Sequence, residues 1–501
     1  MWGSHTGSLL LQTYEEIIHK FGIKSKVIRL VTDNAANNIS AFQNIIVPGF
    51  EKYFVDENDV ENDESDETND DGALSDEYEY PPDRSFTANL STAADVLSED
   101  FVQESINRLM EHSEIFRIPC FAHSIQLVVK DGLKEATPIV AALEKVSAIA
   151  KLAHTSTKFA EKLDSMKVSI PRAVITRWNS QFMTVERILS IPSIELNNVL
   201  GQLKYGHLCL NSRDLTMLQE FVDLLSLFAQ VTTATQCQNC PSISIVAPSI
   251  LNIFFDLINE KNNVQHTKSL CNALLSSLLS RFGGLLEEME IKVTDYDIAF
   301  RANKKFYDLY KDPVFVLSPF LDGMFKTRWI TQSLLGDSTK ERLCEKIKKL
   351  VFDHCLLMVH DDECLISNNT QLTEQHQGLG DTSTTTSATN KRKNLFGNIE
   401  NDLKNTKRTK NIDSYIYIHE EVSRYINDVN DDPSILINPT SSRSYKTLAK
   451  LATKYLCIPA TSAAVERTFS QSGFLLRPHR ARMSRKTLEQ LTLLKCNVDI
   501  L

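Results

Sequence analysis

Near the amino terminus, apolar residues recur at intervals of three and four: Leu9, Leu10, Tyr14, Ile17, Ile18 and Phe21. That period predicts an amphipathic helix, and Gly22 is placed to end it. The stretch Lys26 to Thr32 is short and rich in β-branched residues, so it reads as a strand. Ala35, Ile39, Phe42 and Ile46 then return to helical spacing. The resulting α-β-α unit sets Asp33 at the carboxyl end of its strand, where open α/β sheets place their sites. A second apolar run, within Ile118 to Val129, reads as a core strand. From Lys130 to about Met358 the pattern changes to long amphipathic stretches, such as Leu215 to Val231, Ser249 to Ile258 and Leu270 to Met289, with few strand signals. The expected fold class is α/β + α, with a mainly helical insertion.

Two segments interrupt this pattern. Between Asp56 and Glu79 there are thirteen acidic residues and no Lys or Arg. Such a run cannot bury enough apolar surface to fold, and a solvated, disordered insert is expected over 55–97. It accounts for the net charge of −10, because elsewhere 54 basic residues face 51 acidic ones. Fending off nucleic acid or holding a basic partner is the functional alternative. The second break, 361–412, is a polar linker with basic clusters Lys391-Arg392-Lys393 and Lys407-Arg408-Thr409-Lys410. These clusters read as a bipartite nuclear localisation signal, as chance clusters in a polar linker, or as nonspecific phosphate contacts.

A chain of 501 residues with 42% apolar content can bury a large core in two or three domains. No stretch approaches roughly 20 unbroken apolar residues, and Met1-Trp-Gly-Ser-His-Thr lacks a basic leader, so an intracellular protein with no membrane contact is expected. The ten cysteines fit a reduced setting. Cys237-Gln-Asn-Cys240 has His266 as its nearest downstream histidine, and reads as ordinary loop cysteines rather than a zinc site.

The chain's most specific stretch is Leu456-Cys-Ile-Pro-Ala-Thr-Ser-Ala-Ala-Val-Glu-Arg-Thr-Phe-Ser470. Pro459 suits a helix start and Ser462 can cap it. Glu466 then either faces water while Ala463 and Phe469 face the core, or belongs to a site. Three other segments bear on that choice. They are Val27-Ile-Arg-Leu-Val-Thr-Asp-Asn-Ala-Ala-Asn-Asn38, Ile118-Pro-Cys-Phe-Ala-His-Ser-Ile-Gln-Leu-Val-Val129 and Thr176-Arg-Trp-Asn-Ser180.

Together these four segments resemble the hAT family of DNA transposases and the transposon-derived host proteins that include zinc finger BED domain-containing ones, where the same blocks occur in the same order. The resemblance spans essentially the whole chain. It implies a truncated ribonuclease H-like core interrupted by a large all-α insertion domain. In those terms 1–54 is partial core and 55–97 the acidic insert. Residues 98–129 carry a core strand with Cys-x-x-His, 130–360 form the helical insertion, 361–412 the linker, and 440–501 a dimerisation region that completes the core.

Family members cut and join DNA with three carboxylates holding divalent metal, Mg2+ or Mn2+. Hard cations prefer carboxylate oxygen, and paired ions stabilise the attacking and leaving oxygens of an in-line displacement. By the resemblance, Asp33 matches the second aspartate and Glu466 the glutamate. The first aspartate of the family pattern has no counterpart among the residues before Asp33, nor does the BED-type finger. Two carboxylates of three would bind metal weakly, so Asp33 and Glu466 are expected to be vestigial, with no cofactor. His123 would contact DNA or orient a carboxylate, against the plain reading of a core histidine capping a strand. Arg177 would hold phosphate and Trp178 stack on an unpaired base, against plain core filling. Leu321-Asp-Gly-Met-Phe-Lys326 resembles a further block, with Gly323 and Met324 replacing Pro and Arg, and reads as a packing landmark.

At the carboxyl end, Leu488, Leu491 and Leu494 share one helical face. Read alone, that stripe is internal core or a self-association face; the resemblance favours dimerisation. Arg477, Arg480 and Arg482 make the preceding loop basic and suited to phosphate. The function expected is that of a transposon-derived nuclear protein that homodimerises and touches DNA, with no small-molecule substrate and no nuclease activity. Two alternatives compete: a fragment of an active hAT transposase, and a remnant without activity.

Overall fold

The computed structural model describes residues 7–32, 116–171, 178–236, 240–296, 298–302, 307, 309–374, 416–476 and 483–497. Helix α1 is Gly7–Phe21, and Gly22 ends it with φ +60°. Only glycine adopts that left-handed value at no steric cost. Of its apolar stripe, Ile18 is buried while Ile17 and Phe21 remain largely exposed. A single 3-10 turn, Lys24–Lys26, leads into strand β1, Arg29–Thr32, shorter than the stretch expected from Lys26. The helix expected to carry Ala35 to Ile46, and the acidic insert, lie outside the described residues.

Strand β2, Phe116–Pro119, pairs parallel with β1, Arg29 opposite Phe116 and Thr32 opposite Pro119. The chain then turns into helix α2, Phe121–Lys134. Here the structure corrects the sequence reading, for residues 121–129 are helix, and α2 runs across the boundary expected at 129/130. A short apolar run carries no decisive period, and Phe121, Ile125 and Val128 satisfy a helical spacing as well as a strand.

Helices α3 (Val140–Thr155), α4 (Thr157–Ser165), α5 (Trp178–Leu189) and α6 (Ser193–Gln202) follow. Then come the long α7 (Ser212–Ala234), α8 (Val246–Asn263) and α9 (Lys268–Glu288). Local chemistry sets their ends. Asn211 and Asp214 form a reciprocal capping box at the start of α7, each side chain accepting the other's backbone N–H. Glu220 in α7 accepts the backbone N–H groups of Gln265, His266 and Thr267 and the Thr267 hydroxyl, which caps the approach to α9. Burial pushes its carboxyl up, but these donors outweigh it and hold Glu220 below the usual glutamate range.

Helix α9 packs along α2. Gly132 makes this approach possible, since a Cβ there would lie 2.5 Å from Leu274 Cδ2. Phe121 meets Phe282 edge to face at 5.7 Å, and Ile125, Leu270 and Leu278 along the same two helices are fully buried. Each such side chain contributes about 1.5–3 kcal/mol on burial. The stretches Ile243–Asn263 and Lys268–Glu288 are long and apolar enough to cross a membrane, yet most of each is buried inside the protein, the pattern of core helices.

After α10 (Val314–Leu321) and α11 (Arg328–Thr331), helix α12 spans Asp337–Glu374. It continues past 361, where the polar linker was expected to begin. Helix α13 covers 416–427 and α14 covers Lys446–Leu456. Helices α15 (Ala463–Leu475) and α16 (Arg485–Cys496) form a terminal hairpin. The Leu321–Lys326 block packs against α13 and the loop after it. Gly323 lies so close to the Asp432 carbonyl that a Cβ would fall at 2.2 Å, and the Lys326 ammonium stands 4.9 Å over the Tyr425 ring. The described molecule is thus mostly helical, with one small parallel sheet.

Candidate functional site

The carboxyl end of β1 is built by backbone pairing. The N–H of Cys120 donates to the Thr32 carbonyl at 2.9 Å, extending the β1–β2 ladder by one bond. Asp33, the next residue along the chain, lies outside the described residues. Across from this strand end stands the segment that enters α15. Phe121 N–H donates to the Ala460 carbonyl at 2.8 Å, and Ala460 N–H donates to Ser242 Oγ at 2.9 Å.

Cys120 is the junction of the two. Its buried sulfur accepts the N–H of Ser462 at 3.4 Å and donates to Thr461 Oγ1 at 3.5 Å. The Ser462 hydroxyl, also 3.5 Å from that sulfur, donates to Glu466 Oε1 at 2.8 Å. A continuous set of contacts therefore runs from the end of β1 through Cys120 and Ser462 to Glu466, 341 to 346 positions further along the chain than Cys120. The helix bearing Glu466 returns to the sheet's carboxyl end despite that separation.

Ser462 stands at the cap position of α15, but its side chain does not cap. It is spent on Glu466, and Thr461 Oγ1 instead accepts the first helical N–H, from Ala463, at 3.1 Å. Glu466 is exposed, as its bland reading required. Phe469 contradicts that same reading, for it is 70% exposed rather than facing the core.

Divalent metal chemistry asks for several hard oxygen donors around one point. Among the described residues no group of three His, Cys, Asp or Glu side chains is placed to hold a metal ion, and the one carboxylate here already accepts a serine hydroxyl.

His123 lies half-buried in the first turn of α2, beside this junction and not at a strand end. Trp178 begins α5, half-buried, with its ring 6.4 Å from Phe182 in an edge-to-face contact and packed against the core. Arg177, Arg477, Arg480 and Arg482 lie outside the described residues. So do Cys237 and the six basic residues Lys391, Arg392, Lys393, Lys407, Arg408 and Lys410.

The terminal hairpin is the second feature of this region. Leu488 and Leu491 of α16 are half-buried, and Thr492 Oγ1 lies 3.1 Å from Ser472 Oγ of α15. Leu494 is 50% exposed, so the three leucines do not form one uncovered stripe. Instead Val465 and Phe469 of α15 stand in solvent, which the sequence reading missed. The available signal was the run of small residues Ala463, Ala464, Ser470 and Ser472 around one phenylalanine, too little bulk for a helix buried on all sides.

Residues 118–203 match the family model of the ZBED1 RNase-like helical domain, and residues 429–498 match that of the hAT family C-terminal dimerisation region. No curated protein matches the chain. The first match covers the last two residues of β2, then α2 and the helices that follow, through α6 and one residue beyond; the second covers α14, α15 and α16. Together they support a transposon-derived protein of the hAT/ZBED kind, and the second supports self-association.

Proposed function

We propose that this chain, a transposon-derived protein of the hAT/ZBED kind, works as a homodimer assembled through its carboxyl-terminal region. The match of 429–498 to a dimerisation region carries this reading. Its structural support is the α15–α16 hairpin, which packs mainly on itself and leaves Val465, Phe469 and Leu494 exposed. An apolar face of this kind is costly in water and is stabilised by association.

The finer reading adds three parts. The β1–β2 pair with α2 and α15 is taken as the remnant of a ribonuclease H-like core, supported by a parallel pair whose carboxyl end meets the helix of Glu466. Asp33 and Glu466 are taken as vestigial ligands on the resemblance of their two segments alone. Nuclear residence and DNA contact rest on the basic clusters at 391–393 and 407–410 and on Arg477, Arg480 and Arg482.

Light scattering after size exclusion tests the central claim. A monodisperse dimer at low and high salt is expected, and a monomer throughout the micromolar range removes it. Incubation with supercoiled plasmid and Mn2+ tests the vestigial site, since nicking lost in Glu466→Gln would restore the transposase alternative.

A further inference from the structure

Among the exposed apolar side chains of the hairpin, two on α15 and one at its carboxyl cap belong together. Val465, Phe469 and Leu476 are 55%, 70% and 41% exposed. At 100° per residue they fall within about 40° of one another around the helix axis. They form one continuous stripe, with Phe469 at its middle. On α16, among the described residues, the exposed Leu493 and Leu494 are adjacent in sequence and so point about 100° apart. Phe474, the other exposed aromatic of α15, already has a neighbour in the Lys495 ammonium, 4.3 Å above its ring.

The attached side of α15 lies further round the helix, where Leu475 is buried and Arg467 donates through Nη1 to the Gln236 carbonyl at 2.9 Å, while Ser472 on the flank of the stripe meets Thr492 of α16. The Val465–Phe469–Leu476 stripe is therefore turned about 100° or more from Leu475 and Arg467, with α16 along one flank.

We infer that this stripe on α15, rather than the leucines of α16, is the docking face for a second copy of the chain. The inference rests on the self-association reading and names its surface. A second copy is the occupant because the stripe lies wholly within 429–498, the region matched to hAT dimerisation. A two-fold dimer is self-complementary, so α15 of one copy lies across α15 of the other and Phe469 is used twice. A central aromatic with Gly473 four positions on leaves room for a second helix and suits the anchor of an interface. Glu466, one position on from Val465, sits on the rim of this face, where docking changes its surroundings.

The test is sedimentation velocity on the full chain, wild type against Val465→Asp/Phe469→Asp and Leu488→Asp/Leu491→Asp. Both α15 positions are exposed, so the first variant keeps its helical signal and melting curve. Its dissociation constant should rise by about a hundredfold or more. The α16 variant should instead lose helix or aggregate, because its leucines pack inside the hairpin. A V465D/F469D protein that dimerises as wild type does overturns the α15 face while leaving self-association standing. A wild type that is monomeric at every concentration overturns the self-association reading itself; a lower melting temperature in V465D/F469D would then assign the stripe to the chain's own residues. Glu466→Lys, compared at low and high salt, reads the rim, since a rim charge alters the salt dependence of association. Unchanged salt dependence would take Glu466 out of the interface.

Discussion

The guanidinium of Arg29 donates through Nε and Nη2 to one oxygen of Asp312, Oδ2, at 3.2 Å, with both side chains buried from water. The other oxygen of Asp312 accepts the Val314 N–H at 3.0 Å, at the start of α10. This pair pins β1 to the helical body across 283 positions of sequence. Removing one partner strands a buried charge, which costs about 3–5 kcal/mol. Arg29→Met should lower stability by that amount in urea unfolding. Arg29→Met/Asp312→Asn should recover part of it, and a double variant no better than the single would show that the loss comes from packing around β1.

Asp322 gives the molecule a pH dependence of a stated sign. Burial pushes its carboxyl up to about 6, against the hydrogen bonds from Ser244 Oγ at 2.6 Å and the Met324 N–H at 2.9 Å that favour the anion; Asp432 adds to the upward push. The folded state therefore holds this proton more tightly than the unfolded chain does. Its stabilisation is complete below about pH 4 and is lost as pH rises through about 6, on the order of 3 kcal/mol in all. Asp322→Asn should flatten that part of the profile of unfolding free energy against pH. A variant with the wild-type slope between pH 4 and 6.5 would assign the slope to other groups.

Glu421 in α13 is fully buried, and its Oε1 accepts the N–H groups of Thr447 and Leu448 at 2.9 Å each, at the start of α14. Its Oε2 has no hydrogen-bond partner among the described residues. Glu421→Gln keeps the accepting oxygen and removes a buried charge, so a change within about 1 kcal/mol is expected. Glu421→Ala leaves two helix-terminal donors unsatisfied and should cost about 2–4 kcal/mol. Equal losses from the two would mean that the charge itself, not the acceptor, holds α14.

The long helices were legible because Leu215 to Val231 and Leu270 to Met289 are repetitive enough for the period to decide. The residues 121–129 were not, because the choice between strand and helix there depends on α9 arriving against Gly132. The packing role of Leu321 to Lys326 was visible as a block, though its partner, the loop at Asp432, was not. At the candidate site, Glu466 stood out by its neighbours, while the Cys120–Ser462 link joins residues 342 positions apart and leaves no local trace. Leu488 and Leu491 were legible as sharing one face, but what covers that face was not. A helical stripe shows which residues share a face, but whether α15 or a second chain covers that face is a tertiary fact.

The hairpin should be the least protected part of the described fold. Its attachment to the body is concentrated at the entry to α15, through Ala460, Thr461, Ser462 and Arg467, whereas α16 has no fully buried residue among those described. Local opening free energy follows buried apolar contact, so α16 and the second half of α15 should exchange amide hydrogens far faster than α7, α8 and α9. Association changes this in a concentration-dependent way, because a partner that binds only the closed hairpin stabilises it by mass action. Hydrogen exchange at two protein concentrations separated by a hundredfold should show slowing in α15 and α16 and none in α9. Uniform slowing throughout the chain would indicate a global change in stability, and no slowing in α15 would mean that a second copy docks elsewhere.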